Sequence, residues 1–144
     1  MTRDDIADAA CSLLNVPYRH QGRDVRFGLD CGGFVIETMR RLNLDPIDKP
    51  NYPESIRGKQ LLDKLDCNLK IKDCLEPEIG DIIVFWISNP EVPRHLGILI
   101  PDNKFLHVNT GYTRTDKAGK VFYEYLNEKW KKRIYRVYEI KELT

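Results

Sequence analysis

The sequence predicts an α+β fold, with helices first and an antiparallel sheet after them. Two observations carry this. Apolar residues recur at helical spacing over residues 6–14 and again over 31–42. From Ile82 onward they run instead as continuous or alternating stretches, the pattern of strands. A chain of 144 residues with no internal repeat and no low-complexity segment suits one domain, residues 1–144, around one hydrophobic core.

The elements follow in order. Thr2, Asp4 and Asp5 ahead of Ile6, Ala7, Ala9, Ala10, Leu13 and Leu14 predict a capped amphipathic helix that Pro17 closes. Residues 18–30 carry Tyr18, His20 and glycine punctuation, which predicts a polar loop. Cys31 opens a helix in which Phe34, Val35, Met39 and Leu42 share a face and Glu37, Arg40 and Arg41 oppose it. Three prolines make 45–53 a loop, and Ser55–Leu65 reads as a short surface helix. Ile82–Trp86 is a buried strand. Arg94–Ile100 and Phe105–Val108, joined by a short polar turn, form a hairpin. Glu124–Trp130 reads as a short helix, and Ile134–Ile140 alternates as a last strand.

Composition excludes several function classes. With 42% apolar and 31% charged residues and a formal net charge of +1, the chain offers no basic surface for nucleic acid or anionic lipid. The run Lys129–Arg133 is short and flanked by acids, so it reads as a solvated face. No stretch nears the roughly 20 apolar residues of a membrane span, so no membrane insertion is expected. The first ten residues lack the apolar core of a secretory signal, which leads to the expectation of a chain made and left in the cytoplasm. In that compartment Cys11, Cys31, Cys67 and Cys74 stay unpaired, and Cys67 and Cys74 are too far apart for a Cys-x-x-Cys pair.

Cys31 is the exception among these thiols. It stands where a glycine-containing loop becomes a helix, and unpaired N–H groups with the helix's positive end favour a thiolate there. A thiol nucleophile needs a base and a group that orients the base. With three histidines in the chain the choice is small. His95 and His107 lie on the two hairpin strands at an even separation, compatible with one face of the sheet. His95 as base and His107 as orienting group would complete a Cys–His–His triad. A zinc site of Cys31, His95 and His107 with water in the fourth position is the alternative, but none of these has the close spacing of zinc-ligand pairs. No cofactor is expected.

Four blocks in this order resemble the NlpC/P60 family of cysteine peptidases: Asp30-Cys31-Gly32-Gly33-Phe34-Val35, Pro77-Glu78-Ile79-Gly80-Asp81 with the strand after it, His95-Leu96-Gly97-Ile98, and Phe105-Leu106-His107-Val108. Pro17–Asp24, Asn51-Tyr52-Pro53, Arg94–Gly97 and the ending with Trp130, Arg133 and Tyr138 resemble the phage tail-assembly and gene-transfer-agent members. The resemblance implies a papain-like core, with Cys31 as nucleophile, His95 as base and His107 as orienter. It implies that the Tyr18 hydroxyl helps hold the oxyanion, and that Asp30, Gly32 and His20 border the substrate, Asp30 also capping the helix. Gly32 replaces a serine common in the family, and two residues separate Pro77 from Gly80-Asp81 where the family has a tight Pro-Gly-Asp. The implied reaction is hydrolysis of an amide bond in peptidoglycan stem peptides, between D-glutamate (through its γ-carboxyl) and a diamino acid. Implied alternatives are a tail-assembly subunit, partnered by phage tail proteins and only weakly or latently active, and an exported amidase toxin with a neutralising partner. Either a phage particle or another delivery route would bring the enzyme to the cell wall.

Overall fold

Helices and strands segregate along the chain as the change of period predicts. The computed structural model describes residues 1–49, 52, 56–108 and 119–144. In chain order the elements are α1 (Arg3–Cys11), β1 (Arg23–Asp24), β2 (Gly28–Leu29), α2 (Cys31–Arg41), α3 (Lys59–Asp66), β3 (Leu69–Ile71), β4 (Ile82–Trp86), β5 (Pro93–Ile100), β6 (Lys104–Val108), β7 (Val121–Tyr125), α4 (Glu128–Lys131) and β8 (Ile134–Ile140). Strands β3-β8-β4-β5-β6-β7 form one antiparallel sheet in that order, and β1 and β2 pair separately.

Thr2 caps α1 reciprocally with Asp5: each side chain takes the other's backbone N–H, at 3.1 and 2.8 Å. Ile6 and Ala10 of α1 and Phe34, Val35 and Met39 of α2 bury against Ile82, Val84, Leu96, Ile98 and Leu106 on one face of the sheet. The intervening residues Ile83, Phe85, Leu99, Phe105 and Val137 point to the other face, where Leu126, Ile134 and Trp130 cover them. Both faces are covered, which explains the unbroken apolar run of β4.

The β5–β6 hairpin pairs Ile98 with Leu106 and Ile100 with Lys104. Its turn uses Asp102 and Asn103, both in the left-handed region (φ 69° and 57°) that Asp and Asn tolerate. At the start of β4 the buried Asp81 receives Arg3 Nη1 and Lys72 Nζ, both at 2.7 Å, and the Glu78 N–H at 2.8 Å. Gly80 before it has φ +89°, and a Cβ there would lie 3.2 Å from the Arg3 carbonyl. Gly-Asp thus ties the sheet to α1.

Two predicted helices differ. Glu124 and Tyr125 belong to strand β7, and the helix is confined to Glu128–Lys131, where Asn127 caps it by accepting from Trp130 N–H at 3.1 Å. Val121-Phe122-Tyr123 are strong strand formers, and pairing with β6 from Lys104 to Val108 decides the matter over local spacing. The helix predicted from Ser55 begins at Lys59, while Ser55 itself, like Asn51 and Pro53, lies outside the described residues. Strands β1, β2 and β3 are too short to show a period.

Candidate active site

Asp30 adopts an extended conformation (φ −92°) and its Oδ1 accepts the Gly33 N–H at 2.7 Å, making it the N-cap of α2. Cys31 is therefore the first residue of that helix. The same carboxylate accepts Arg23 Nη1 at 2.9 Å, the Gln21 N–H at 3.0 Å and the Tyr52 hydroxyl. Arg23 continues the network to Asp48 at 2.7 Å. Loop 21–30 is thereby strapped to the helix start, and so closely that a Cβ at Gly33 would fall 2.0 Å from the Gly22 carbonyl oxygen. At Gly32 a Cβ meets nothing nearer than 3.6 Å, so the family's serine would fit.

Cys31 is half-buried against the core. Burial first, and then the Asp30 charge, push its pKa up to about 12, against the pull of the Gly32 and Cys31 backbone N–H groups and of Arg23. The helix terminus acts in the direction expected from the sequence, but it loses. Cys31 is a thiol at neutral pH, not a resting thiolate.

His95 and His107 meet directly. His95 Nε2 lies 2.7 Å from His107 Nδ1, with the rings nearly perpendicular at 87°. Both look onto the aromatic face of the sheet: Trp130 is 6.3 Å from His95 and 5.9 Å from His107 between ring centroids, and Phe105 is 5.1 Å from His107. Burial there, followed by His107 and Arg94, pushes the His95 pKa down to about 3. His95 is thus a neutral imidazole able to take a proton. One nitrogen is engaged by His107, which leaves Nδ1.

Helix α2 packs against β5 and β6, the strands that carry both histidines. No hydrogen bond joins Cys31 to His95 among the described residues. Tyr18 is half-buried; its N–H donates to the Gly119 carbonyl at 2.8 Å and its backbone bridges to Leu29, two residues before Cys31. His20 stands edge-on to Tyr52 at 5.9 Å, and so belongs to the Asp30 network's surroundings. Among the described residues no group of three or more His, Cys, Asp or Glu side chains is arranged to hold a metal ion.

Sequence reasoning missed Glu124, whose Oε1 is 3.8 Å from His107 Nε2. It sat inside a predicted helix, where nothing linked it to a histidine. Strand alternation would have found it, since β7 pairs His107 with Phe122 and returns to the same face at Glu124.

Fold and site together define an α+β domain with a capped cysteine at a helix N-terminus and a coupled histidine pair on two strands of the sheet that this helix packs against, the histidine rings turned to the sheet's aromatic face. The chain belongs to the NlpC/P60 family, whose sequence pattern matches residues 15–139. It is 33% identical over 103 residues to "Probable endopeptidase NlpC" of Escherichia coli K12, covering 72% of this chain and 59% of that protein. It is 30% identical over 129 residues to "Murein DD-endopeptidase MepS/Murein LD-carboxypeptidase" of the same strain, covering 89% and 57%. The chain thus spans about three fifths of the curated relatives it matches. In fold it is similar to an NlpC/P60 family protein from Bacillus cereus, with TM-score 0.64 and 20% identity over 95% of this chain and 39% of that one. It is also similar to the NlpC/p60 domain of peptidoglycan hydrolase SagA, with TM-score 0.58 and 15% identity over 98% and 99%.

Proposed function

We propose that this protein is a cysteine peptidase that hydrolyses amide bonds in peptidoglycan stem peptides, with Cys31 as nucleophile, His95 as base and His107 as the group that orients it. The observation that carries the reading is the 2.7 Å His95–His107 bond on strands packed against the helix that Cys31 opens. The names of the relatives, two of them acting on murein or peptidoglycan, support the substrate class.

The chemistry follows from the protonation states. A neutral thiol must lose its proton as it attacks, and a neutral imidazole can accept it, so Cys31 Sγ bonds to the amide carbonyl carbon while its proton passes to His95. Negative charge collects on the carbonyl oxygen. The Cys31 N–H, one of the first amides of α2, which have no partner within the helix, and the Tyr18 hydroxyl are the groups we assign to hold it. His95 then returns the proton to the leaving amine as the C–N bond breaks, leaving a thioester. Water, deprotonated by His95, attacks that thioester and releases the acid and the thiol. Asp30, Gly32 and His20 border the side on which the substrate lies.

The bond we assign joins the γ-carboxyl of D-glutamate to a diamino acid, the expectation that the sequence motifs imply. Mass spectrometry of muropeptides digested with the protein tests it. New termini at that bond are the expected products. Products cut elsewhere in the stem would replace the assignment, and intact muropeptides would sink the peptidase reading. The finer placement, in the phage tail-assembly group, is supported by Pro17–Asp24, which runs into the loop tied to the start of α2, and by the Trp130, Arg133 and Tyr138 ending. Co-sedimentation with tail particles is its expected outcome, and exclusive recovery as free protein would contradict it.

A further inference from the structure

We infer that Glu124 on β7 is a positioning residue: its carboxylate selects the Nε2–H tautomer of His107 and so leaves His95 with an unprotonated Nδ1 for Cys31. This deepens the reading of His95 as base and rests on it. In the β6–β7 register His107 stands opposite Phe122, so Glu124 reappears on the same face one step along the ladder. Its Oε1 lies 3.8 Å from His107 Nε2, near enough for its charge to bear on which nitrogen of that ring holds the proton. His107 is buried, while Glu124 keeps one side to solvent.

The histidine pair alone allows two proton arrangements. In one, His95 Nε2–H donates to His107 Nδ1, and His107 carries its own proton on Nε2. In the other, His107 Nδ1–H donates to His95 Nε2, which puts the His95 proton on Nδ1 and leaves a lone pair on His107 Nε2. The second arrangement points that lone pair at a carboxylate and removes the basic nitrogen that faces away from His107. The first points N–H at the carboxylate and keeps the base. A negative charge at Glu124 therefore favours the productive arrangement, and it also stabilises the pair once His95 has taken the thiol proton. The other groups bearing on this pair are Arg94 beside His95, and Lys129 and Trp130 of α4. His107 in turn holds the Glu124 carboxyl below its ordinary range, so it is charged throughout the neutral region.

The test needs no substrate. Long-range nitrogen–proton NMR reads the tautomer of each histidine in the full chain at neutral pH. Wild-type protein is expected to show His107 protonated on Nε2 and bare on Nδ1. Glu124→Ala is expected to move His107 toward the Nδ1–H form, and Glu124→Gln, which keeps an acceptor oxygen without charge, to restore part of the wild-type signal. Turnover of muropeptides (kcat) should fall about tenfold in Glu124→Ala with little change in KM. A wild-type His107 protonated on Nδ1, or a tautomer that does not move in either variant, would overturn the inference. If wild-type protein cleaves no muropeptide, the peptidase reading fails, while the tautomer still decides the role of Glu124.

Discussion

Asp30 holds two jobs that pull against each other at the residue scale. As N-cap it fixes the start of α2, and as an anion beside Cys31 it disfavours the thiolate. Asp30→Asn keeps a capping acceptor and removes the charge, so the thiol pKa should fall from about 12. Iodoacetamide alkylation at pH 8 should then be faster than in the parent protein; an equal or slower rate would show that burial alone sets the thiol. The position of Cys31 at a helix start and of His95 and His107 on one face of a hairpin was legible in the sequence, because a turn or strand pattern marks each. Glu124 was not, because its link to His107 exists only through the pairing of β6 with β7.

Two devices at the element scale hold the site in place, and both begin with glycine. Gly33→Ala would drive a methyl into the Gly22 carbonyl, 2.0 Å from the ideal Cβ position, so loop 21–30 or the helix start must give way. We expect little soluble protein, or a melting point well below the parent's, from a thermal scan. Asp81→Ala leaves Arg3 and Lys72 facing each other without the buried anion between them. The expected cost is about 3 kcal/mol in urea unfolding, the scale of removing one partner from a buried ion pair. The helices α1 and α2, strand β4 and the β5–β6 hairpin were readable because a cap, an apolar run or a turn signal marks each. The end of strand β7, Glu124 and Tyr125, was misread as the start of the following helix, and only the facing strand resolves the ambiguity.

For the molecule as a whole, the two faces of the sheet carry different parts of the site. One face packs on α1 and α2, with Cys31 at the start of α2, and the other holds both histidines, His107 buried and His95 half-buried, among Phe85, Phe105 and Trp130. That burial has a thermodynamic signature. His95 titrates near 3 when folded and near 6.5 when unfolded, so the unfolded chain binds a proton that the folded one refuses between those values. Its contribution to stability is whole above about pH 6.5 and is lost as the pH falls toward 3. Cys31 acts in mirror image, losing stability as the pH rises from about 9 toward 12. Urea midpoints measured from pH 4 to 7 should therefore rise with pH, and less steeply in His95→Gln; identical slopes would show that His95 is not held neutral.

Everything proposed for the site depends on Cys31 being the nucleophile of a peptidase. That role is tested most directly by comparing kcat/KM of the parent protein and Cys31→Ala on purified muropeptides, with circular dichroism confirming that both are folded. We expect cleavage by the parent and at least a thousandfold loss in the variant, the order seen when a catalytic nucleophile is removed. Undiminished cleavage by folded Cys31→Ala would contradict that role.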